Sequence, residues 1–138
     1  MSVEAMWAAD AASAALGIEL LDWAPGRARL QMTVTATMVN GHDIAHGGLV
    51  FTLADSAFAV ACNSHGTATV AAGADVTFVA AARLGDVLVA EATEQAVFGR
   101  SGVTDVRVTR AGDGGLVALF RGRSRSLGRP IPTPEEHR

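Results

Sequence analysis

One acidic side chain lies within a long apolar stretch, where a charge is expensive to bury. Asp55 is surrounded by alanine, leucine, valine and phenylalanine, and no arginine or lysine occurs between residues 30 and 82. A buried carboxylate without a cation has a raised pKa, which is a common property of functional sites. At helical spacing, Thr52 and Ser56 share its face and are its expected hydrogen-bond partners. A structural aspartate that bonds its own helix is the alternative.

A glycine pair precedes this stretch and offers a different kind of chemistry. His46, Gly47 and Gly48 lie where a helix is predicted to begin. Backbone N–H groups at a helix start have no partner within the helix, and the helix dipole is positive there. Glycine lets a ligand approach such groups closely. The segment therefore predicts an oxyanion hole or a phosphate site, with a plain flexible loop as the alternative.

The spacing of these two candidates limits how they can cooperate. Gly47 and Asp55 are eight residues apart, which is about 12 Å along an α-helix. A general base must come within about 3 Å of the proton it takes. One helix cannot present both groups to a single carbonyl. If both serve one reaction, Asp55 comes from another subunit, and the sequence then predicts a homodimer with shared sites.

Composition excludes several other classes of chemistry. The chain has no lysine, which rules out a Walker-type phosphate loop and a lysine Schiff base. It has no Gly-x-Ser-x-Gly motif of a serine hydrolase. His42 and His46 have a zinc-like spacing, but no third ligand is evident, and no metal is predicted. A net charge of −3 without basic clusters argues against a nucleic-acid partner.

Helical and strand periodicities predict the elements that must position these residues. The predicted helices span residues 3–16 and 49–63, and the predicted strands span residues 18–23, 29–35, 70–79, 87–97, 103–110 and 116–127. Residues 38–48 are predicted as a loop, and residues 130–138 as a flexible tail. This order indicates one α+β domain over residues 1–138, with an antiparallel sheet wrapped around one long central helix.

Targeting signals and long apolar runs are not evident in the sequence. The first basic residue is Arg27, and no run of 18 apolar residues occurs. We therefore expect a cytoplasmic protein without a membrane partner.

The block from Asn40 to Ser64 resembles the signature of hot-dog-fold acyl-CoA thioesterases, closest to their phenylacetate-degradation (PaaI) branch. It reads NGHDIAHGGLVFTLADSAFAVACNS. Supporting similarity at Gly85-Asp86 and at Ala118–Ser124 extends the resemblance over residues 10–128. It implies a hot-dog fold, and homodimers that pair into homotetramers. It also implies hydrolysis of phenylacetyl-CoA or hydroxyphenylacetyl-CoA to the free acid and CoA.

The resemblance also assigns roles to individual residues. By position, the Gly47 N–H polarises the thioester carbonyl, and Asp55 of the opposite subunit is general base or nucleophile. Asn40 positions the thioester or the water, and His46 supports the turn. The residues that the resemblance assigns to the substrate and CoA are Gly48, Arg83, Arg100 and Ser101. CoA arrives as part of the substrate, so no separate cofactor is expected.

Two other functions fit the same fold. A dehydratase or isomerase acting on acyl chains needs a histidine aimed at the substrate's α or β carbon, and His46 is the candidate. A non-catalytic acyl-CoA-binding module needs no base, and a desolvated Asp55 argues against it.

Overall fold

The structure, a computed structural model, describes residues 2–132. Within this range the helices are α1 (Val3–Ala8), α2 (Ala11–Ala15) and α3 (Gly47–Asn63), with a 3₁₀ turn at Ala36–Met38. The strands are β1 (Glu19–Ala24), β2 (Arg27–Thr33), β3 (Thr67–Phe78), β4 (Val87–Phe98), β5 (Ser101–Arg110) and β6 (Leu116–Pro130).

The six strands form one antiparallel sheet in the order β1-β2-β4-β5-β6-β3. The glycine-rich segments after β4 and β5 form two hairpins, because glycine accepts the backbone angles of tight turns. β3 pairs with β6 at the edge of the sheet rather than with β4. The chain must therefore cross from that edge back to the middle between residues 79 and 86.

α3 packs against one face of this sheet, as the sequence predicts. Leu53, Ala54 and Ala57 are fully buried, and Phe58 is 1% exposed. The strands leave room for the helix by using small residues: a Cβ atom on Gly122 of β6 would lie 2.7 Å from the Phe58 ring. The sheet and the helix thus share one continuous core.

The predicted polar stripe of α3 is present, but half of it is covered. Thr52 and Asp55 are partly exposed, whereas Ser56 and Asn63 are buried. The Asn63 side chain bonds both the N–H and the carbonyl of Thr69, which joins the end of α3 to β3.

The helix predicted over residues 3–16 is wrong in one respect, because it is two short helices. Asp10 interrupts it and begins α2 as its N-cap, with Oδ1 accepting the Ser13 N–H at 2.9 Å. Aspartate is a strong N-cap residue, and this signal outweighs the helix propensity of the alanines around it. Gly17 follows with φ +68°, and the chain turns there into β1.

Two predicted boundaries also move. α3 begins at Gly47 rather than at residue 49, so the glycine pair belongs to its first turn. The flexible tail predicted at 130–138 starts too early, because Pro130 ends β6 and Ile131 is 4% exposed. The Ile131 N–H also donates to the Gly66 carbonyl. Residues 133–138 lie outside the described part of the chain.

Candidate active site

The first turn of α3 presents a free backbone donor. His46 is the N-cap, and its Nδ1 accepts the Gly48 N–H at a long 3.4 Å. The N–H groups of Leu49 and Val50 donate to the His46 carbonyl. No group within residues 2–132 accepts a hydrogen bond from the Gly47 N–H. His46 thus satisfies its neighbours and leaves Gly47 available to a ligand.

An apolar cleft of about 370 Å³ opens beside Gly47. It is lined by Ile44, Ala45, Gly47, Val50, Phe78, Val79, Ala80, Ala81, Ala82 and Val117. The ring of Phe78 lies so close that a Cβ atom on Gly47 would be 2.9 Å from it. Sequence reasoning did not find Phe78, because β3 and α3 meet only in the tertiary structure. Position 47 therefore needs glycine for two reasons: a side chain would collide with the Phe78 ring, and it would block a ligand from the backbone N–H.

The loop before α3 is held by its own hydrogen bonds. Asn40 Oδ1 accepts the N–H groups of His42 at 2.9 Å and of Ile44 at 3.3 Å, which is an Asx turn. Ile44 bridges to Arg83, and the Ala45 N–H donates to the Ala82 carbonyl at 2.7 Å. The Asn40 oxygen is thus committed to the loop, whereas its amide NH₂ donates no hydrogen bond to any group within residues 2–132.

Asp55 is a half-buried carboxylate whose expected hydrogen-bond partners point elsewhere. Thr52 Oγ1 donates to the Gly48 carbonyl at 2.8 Å, and Ser56 Oγ lies 2.8 Å from Ser13 Oγ. The prediction that Thr52 and Ser56 bond Asp55 is therefore wrong, and no donor to it lies within residues 2–132. Burial raises the pKa of Asp55, and the negative charge of Asp10 raises it further.

Gly47 and Asp55 occupy the same uninterrupted helix of 17 residues. Their separation along its axis is therefore about 12 Å. The structure does not bring them together within one chain.

The other predicted binding residues are divided between the two ends of α3. Arg83 lies near its start, through the bridge to Ile44. Arg100 and Ser101 line a separate cleft of about 200 Å³ at its end, with Cys62 and His65. Since α3 is about 24 Å long, Arg83 and Arg100 of one chain cannot hold the same phosphate.

Cys62 in that second cleft is a thiol of low reactivity. Burial raises its pKa to about 12, with a smaller contribution from Glu94. A thiol with such a pKa stays protonated at neutral pH and is a poor nucleophile. The neighbouring His65 bonds Glu94 at 2.9 Å.

Metal ligands and membrane-spanning helices are both missing from the described part of the chain. Residues 2–132 contain no group of three His, Cys, Asp or Glu side chains placed to hold a metal ion. No helix in this range is long and apolar enough to cross a membrane.

The family model of the thioesterase superfamily matches residues 42–117, which include both ends of α3. The chain belongs to the thioesterase superfamily. The acyl-coenzyme A thioesterase PaaI of Escherichia coli K12 is 42% identical to it over 130 residues, 94% of this chain and 92% of that one. The sequence-based expectation of a thioesterase-family enzyme is thus confirmed.

Solved structures of thioesterase-superfamily relatives share the architecture. The Escherichia coli PaaI protein has a TM-score of 0.92 at 42% identity, covering 95% of this chain and 94% of that chain. A mutant of the phenylacetic acid degradation protein PaaI from Thermus thermophilus has a TM-score of 0.82 at 36% identity, covering 86% of this chain and 100% of that chain. The predicted hot-dog fold is confirmed.

Proposed function

We propose that this thioesterase hydrolyses an acyl-CoA thioester to a carboxylic acid and free CoA. The observation that carries the proposal is the Gly47 N–H at the start of α3, which has no acceptor within residues 2–132 and belongs to a residue that lines an apolar cleft. A thioester carbonyl seated there would accept that hydrogen bond at the positive end of the helix dipole. This hydrogen bond becomes stronger as negative charge develops on the oxygen in the transition state. Removing one such donor typically lowers kcat by about 10²–10³-fold.

Asp55 supplies the second half of the reaction. As general base it takes a proton from water, the water oxygen attacks the carbonyl carbon, and the C–S bond breaks with CoA leaving as thiolate. As nucleophile its oxygen attacks the carbonyl carbon directly, the C–S bond breaks with CoA leaving as thiolate, and water then hydrolyses the resulting anhydride. Either role requires the ionised carboxylate, and the absence of donors among residues 2–132 leaves its lone pairs free. Asn40 would position the thioester or the water through its free amide group.

The site must then be shared, because about 12 Å separates Gly47 from Asp55 in one chain. β3 lies at the sheet edge, and antiparallel pairing with a second β3 would bring its Thr67 end to the partner's Phe78 end. That pairing carries the end of one α3 towards the start of the other. If the two α3 helices cross near residue 51, Asp55 of the partner subunit lies level with the Gly47 N–H. We propose a homodimer with this crossing, and two such dimers joining as a homotetramer.

The same pairing of β3 strands would bring the predicted CoA-binding residues of the two subunits closer together. It moves the cleft of Arg100 and Ser101 towards the partner's Gly47 cleft, where Arg83 also lies. Guanidinium groups suit phosphate oxygens, and the chain has no lysine for that task. We assign Arg83, Arg100, Ser101 and Gly48 to CoA binding, with CoA as part of the substrate and no separate cofactor.

We further propose phenylacetyl-CoA or hydroxyphenylacetyl-CoA as the substrate, used in aromatic (phenylacetate) catabolism in the cytoplasm. The cleft beside Gly47 is lined by apolar side chains, and its size suits an aromatic acyl group. The names of the two PaaI relatives, one an acyl-coenzyme A thioesterase and one a phenylacetic acid degradation protein, support this choice.

The test is thiol release from a panel of acetyl-, hexanoyl-, benzoyl-, phenylacetyl- and 4-hydroxyphenylacetyl-CoA, followed with a thiol-reactive dye. We expect the two phenylacetyl esters to have the highest kcat/KM. Asp55→Ala should lose at least ~10²-fold in kcat while folding normally. Asp22→Asn, an exposed carboxylate that pairs with Arg29, is the matched control and should keep full activity.

Three results would contradict the proposal, each in a different way. A fully active Asp55→Ala variant would remove Asp55 from the mechanism. Tight binding of CoA esters without thiol release would identify a binding module. A product that keeps its thioester would identify a dehydratase or isomerase.

Unlabelled acid from a single turnover in ¹⁸O-water would identify Asp55 as the nucleophile. A general base delivers ¹⁸O to the product acid in the first turnover. A nucleophile whose anhydride opens at the Asp55 carbonyl instead releases unlabelled acid and leaves the label on Asp55.

A further inference from the structure

A chain of hydrogen bonds joins the N-terminal segment to the polar side of α3. Asp10 uses both carboxylate oxygens on Ser13: Oδ1 accepts the backbone N–H at 2.9 Å, and Oδ2 accepts the hydroxyl at 2.7 Å. Ser13 Oγ in turn lies 2.8 Å from Ser56 Oγ. Ser13 and Ser56 are only 2% and 7% exposed, so the bond between them is buried, whereas the two bonds to Asp10 are partly buried.

Each serine hydroxyl in this row of hydrogen bonds has one proton, which fixes which group donates and which accepts. A serine hydroxyl has one proton to donate, and that of Ser13 goes to the Asp10 carboxylate. Ser56 must therefore donate to Ser13. It has no proton left for Asp55, its neighbour on α3. The position of α3 at this point is thus fixed by a charged group on another element.

Asp10 does more here than cap a short helix. Capping needs only Oδ1, as at α1, where the Ser2 hydroxyl oxygen accepts the Ala5 N–H. The second oxygen and the buried link to Ser56 serve no part of the cap. Asp10 also lies outside residues 42–117, the part that the family model matches.

We propose that Asp10 is a positioning residue for the reaction, which holds α3 through Ser13 and Ser56 and places a second carboxylate on the Asp55 side of that helix. This inference rests on the proposed function. Of the charged groups on the elements packed against α3 within residues 2–132, Asp10 is the one whose field acts on Asp55. The Cys62 thiol further along α3 is protonated, and Glu94 of β4 acts on that thiol rather than on Asp55.

The experiment compares the loss of the Asp10 carboxylate with the loss of the Ser13–Ser56 hydrogen bond alone. Asp10→Asn removes the charge but keeps a good capping residue, and Asp10→Ser is a second variant of the same kind. Ser56→Ala breaks the hydrogen bond between Ser13 and α3 but keeps the negative charge of Asp10. Ser2→Ala removes the equivalent cap of α1 without touching α3, and is the matched control.

Two readouts are needed, one with and one without turnover. In the pH profile of kcat/KM for phenylacetyl-CoA, we expect the acid limb of Asp10→Asn to move to lower pH, because a like charge is removed. Ser56→Ala should lower kcat about 10-fold with the midpoint unchanged. Ser2→Ala should leave both unchanged.

The ¹³C carboxyl resonance of Asp55, assigned with Asp55→Asn, should titrate at lower pH in Asp10→Asn.

The outcomes distinguish this inference from the proposed function. An unchanged Asp55 titration in folded Asp10→Asn and Asp10→Ser would overturn the role of Asp10, whatever the activity. A wild-type protein that releases no thiol, but whose Asp55 titration moves as expected, would overturn the proposed function alone. If Ser2→Ala lowers kcat as much as Ser56→Ala, the link to α3 has no catalytic role.

Discussion

Two polar groups of α3 have no hydrogen-bond partner among residues 2–132. They are the Gly47 N–H at the start of the helix and the Asp55 carboxylate at its middle. Both are unpartnered because their neighbours are directed elsewhere. His46 takes the Gly48 N–H, Thr52 bonds the Gly48 carbonyl, and Ser56 bonds Ser13. An unmade hydrogen bond at a partly buried group costs stability, so such groups are expected where a ligand completes them.

The two adjacent glycines should differ sharply in tolerance. A Cβ atom on Gly47 would lie 2.9 Å from the Phe78 ring, whereas on Gly48 its nearest neighbour is His46 Nδ1 at 3.7 Å. We expect Gly47→Ala to lower kcat/KM by about 10- to 100-fold, because the N–H or the cleft wall must shift. Gly48→Ala keeps the backbone N–H and has room for its methyl group, so it should lower kcat/KM less than Gly47→Ala does. Equal activity of the two variants would count against the assigned role of Gly47.

Asp55 should also make the protein less stable than it could be at neutral pH. Its raised pKa means that the folded state binds the proton more tightly than the unfolded state. The contribution of protonated Asp55 to stability is therefore fully present below its pKa in the unfolded state. It is lost as pH rises through its pKa in the folded state. We expect Asp55→Asn to raise Tm at pH 7 by about 1–3 °C. Thermal melts from pH 7 down to pH 4 should show this advantage shrinking; a constant difference would contradict it.

Much of the element level was predictable from the sequence, and the exceptions have physical causes. The apolar run around Asp55 specified α3 because its length and periodicity admit no other element. The position of β3 beside β6 depends on the crossing after Phe78, which local periodicity does not encode. Asp10 could have been identified as an N-cap, three residues before Ser13, but its second oxygen and the link to Ser56 depend on tertiary packing.

The packing of β6 on α3 should depend on Gly122. A Cβ atom there would lie 2.7 Å from the ring of Phe58, which is 1% exposed. We expect Gly122→Ala to destabilise the protein by about 1–3 kcal/mol. Gly112→Ala in the β5–β6 hairpin meets nothing within 4 Å and is the control. Urea titrations of both variants measure the difference, and equal midpoints would show that Phe58 can adjust.

At the scale of the whole molecule, the two parts of the proposed site lie apart within one chain. Gly47 with its apolar cleft and Asp55 are separated by the geometry of their own helix. The edge strand β3 leaves Val70 and Phe78 46% and 53% exposed. An apolar edge strand of this length is a natural surface for pairing with another chain. The shared site stays a prediction that a subunit-mixing experiment can test.

Mixing two inactive variants should restore activity if sites are shared. Gly47→Val keeps Asp55, and Asp55→Asn keeps Gly47, so each mixed dimer has one intact and one doubly defective site. Random exchange makes half of the dimers mixed, and we expect about a quarter of the wild-type activity to return. Each variant alone, unfolded and refolded in the same way, is the control. No recovery despite mixed dimers in native mass spectra would place each site within one subunit.

The hydrogen bond from Trp23 Nε1 to Glu4 Oε1, at 3.2 Å, joins β1 to α1. The chain has two tryptophans and no tyrosine, and Trp7 lies in α1 itself. Both indoles pack against the core from the N-terminal part of the chain. Intrinsic fluorescence is therefore a local reporter in this protein. A fluorescence melt follows the release of the segment that carries Asp10, whereas far-ultraviolet circular dichroism follows the sheet, and the gap between the two midpoints measures how independently that segment detaches.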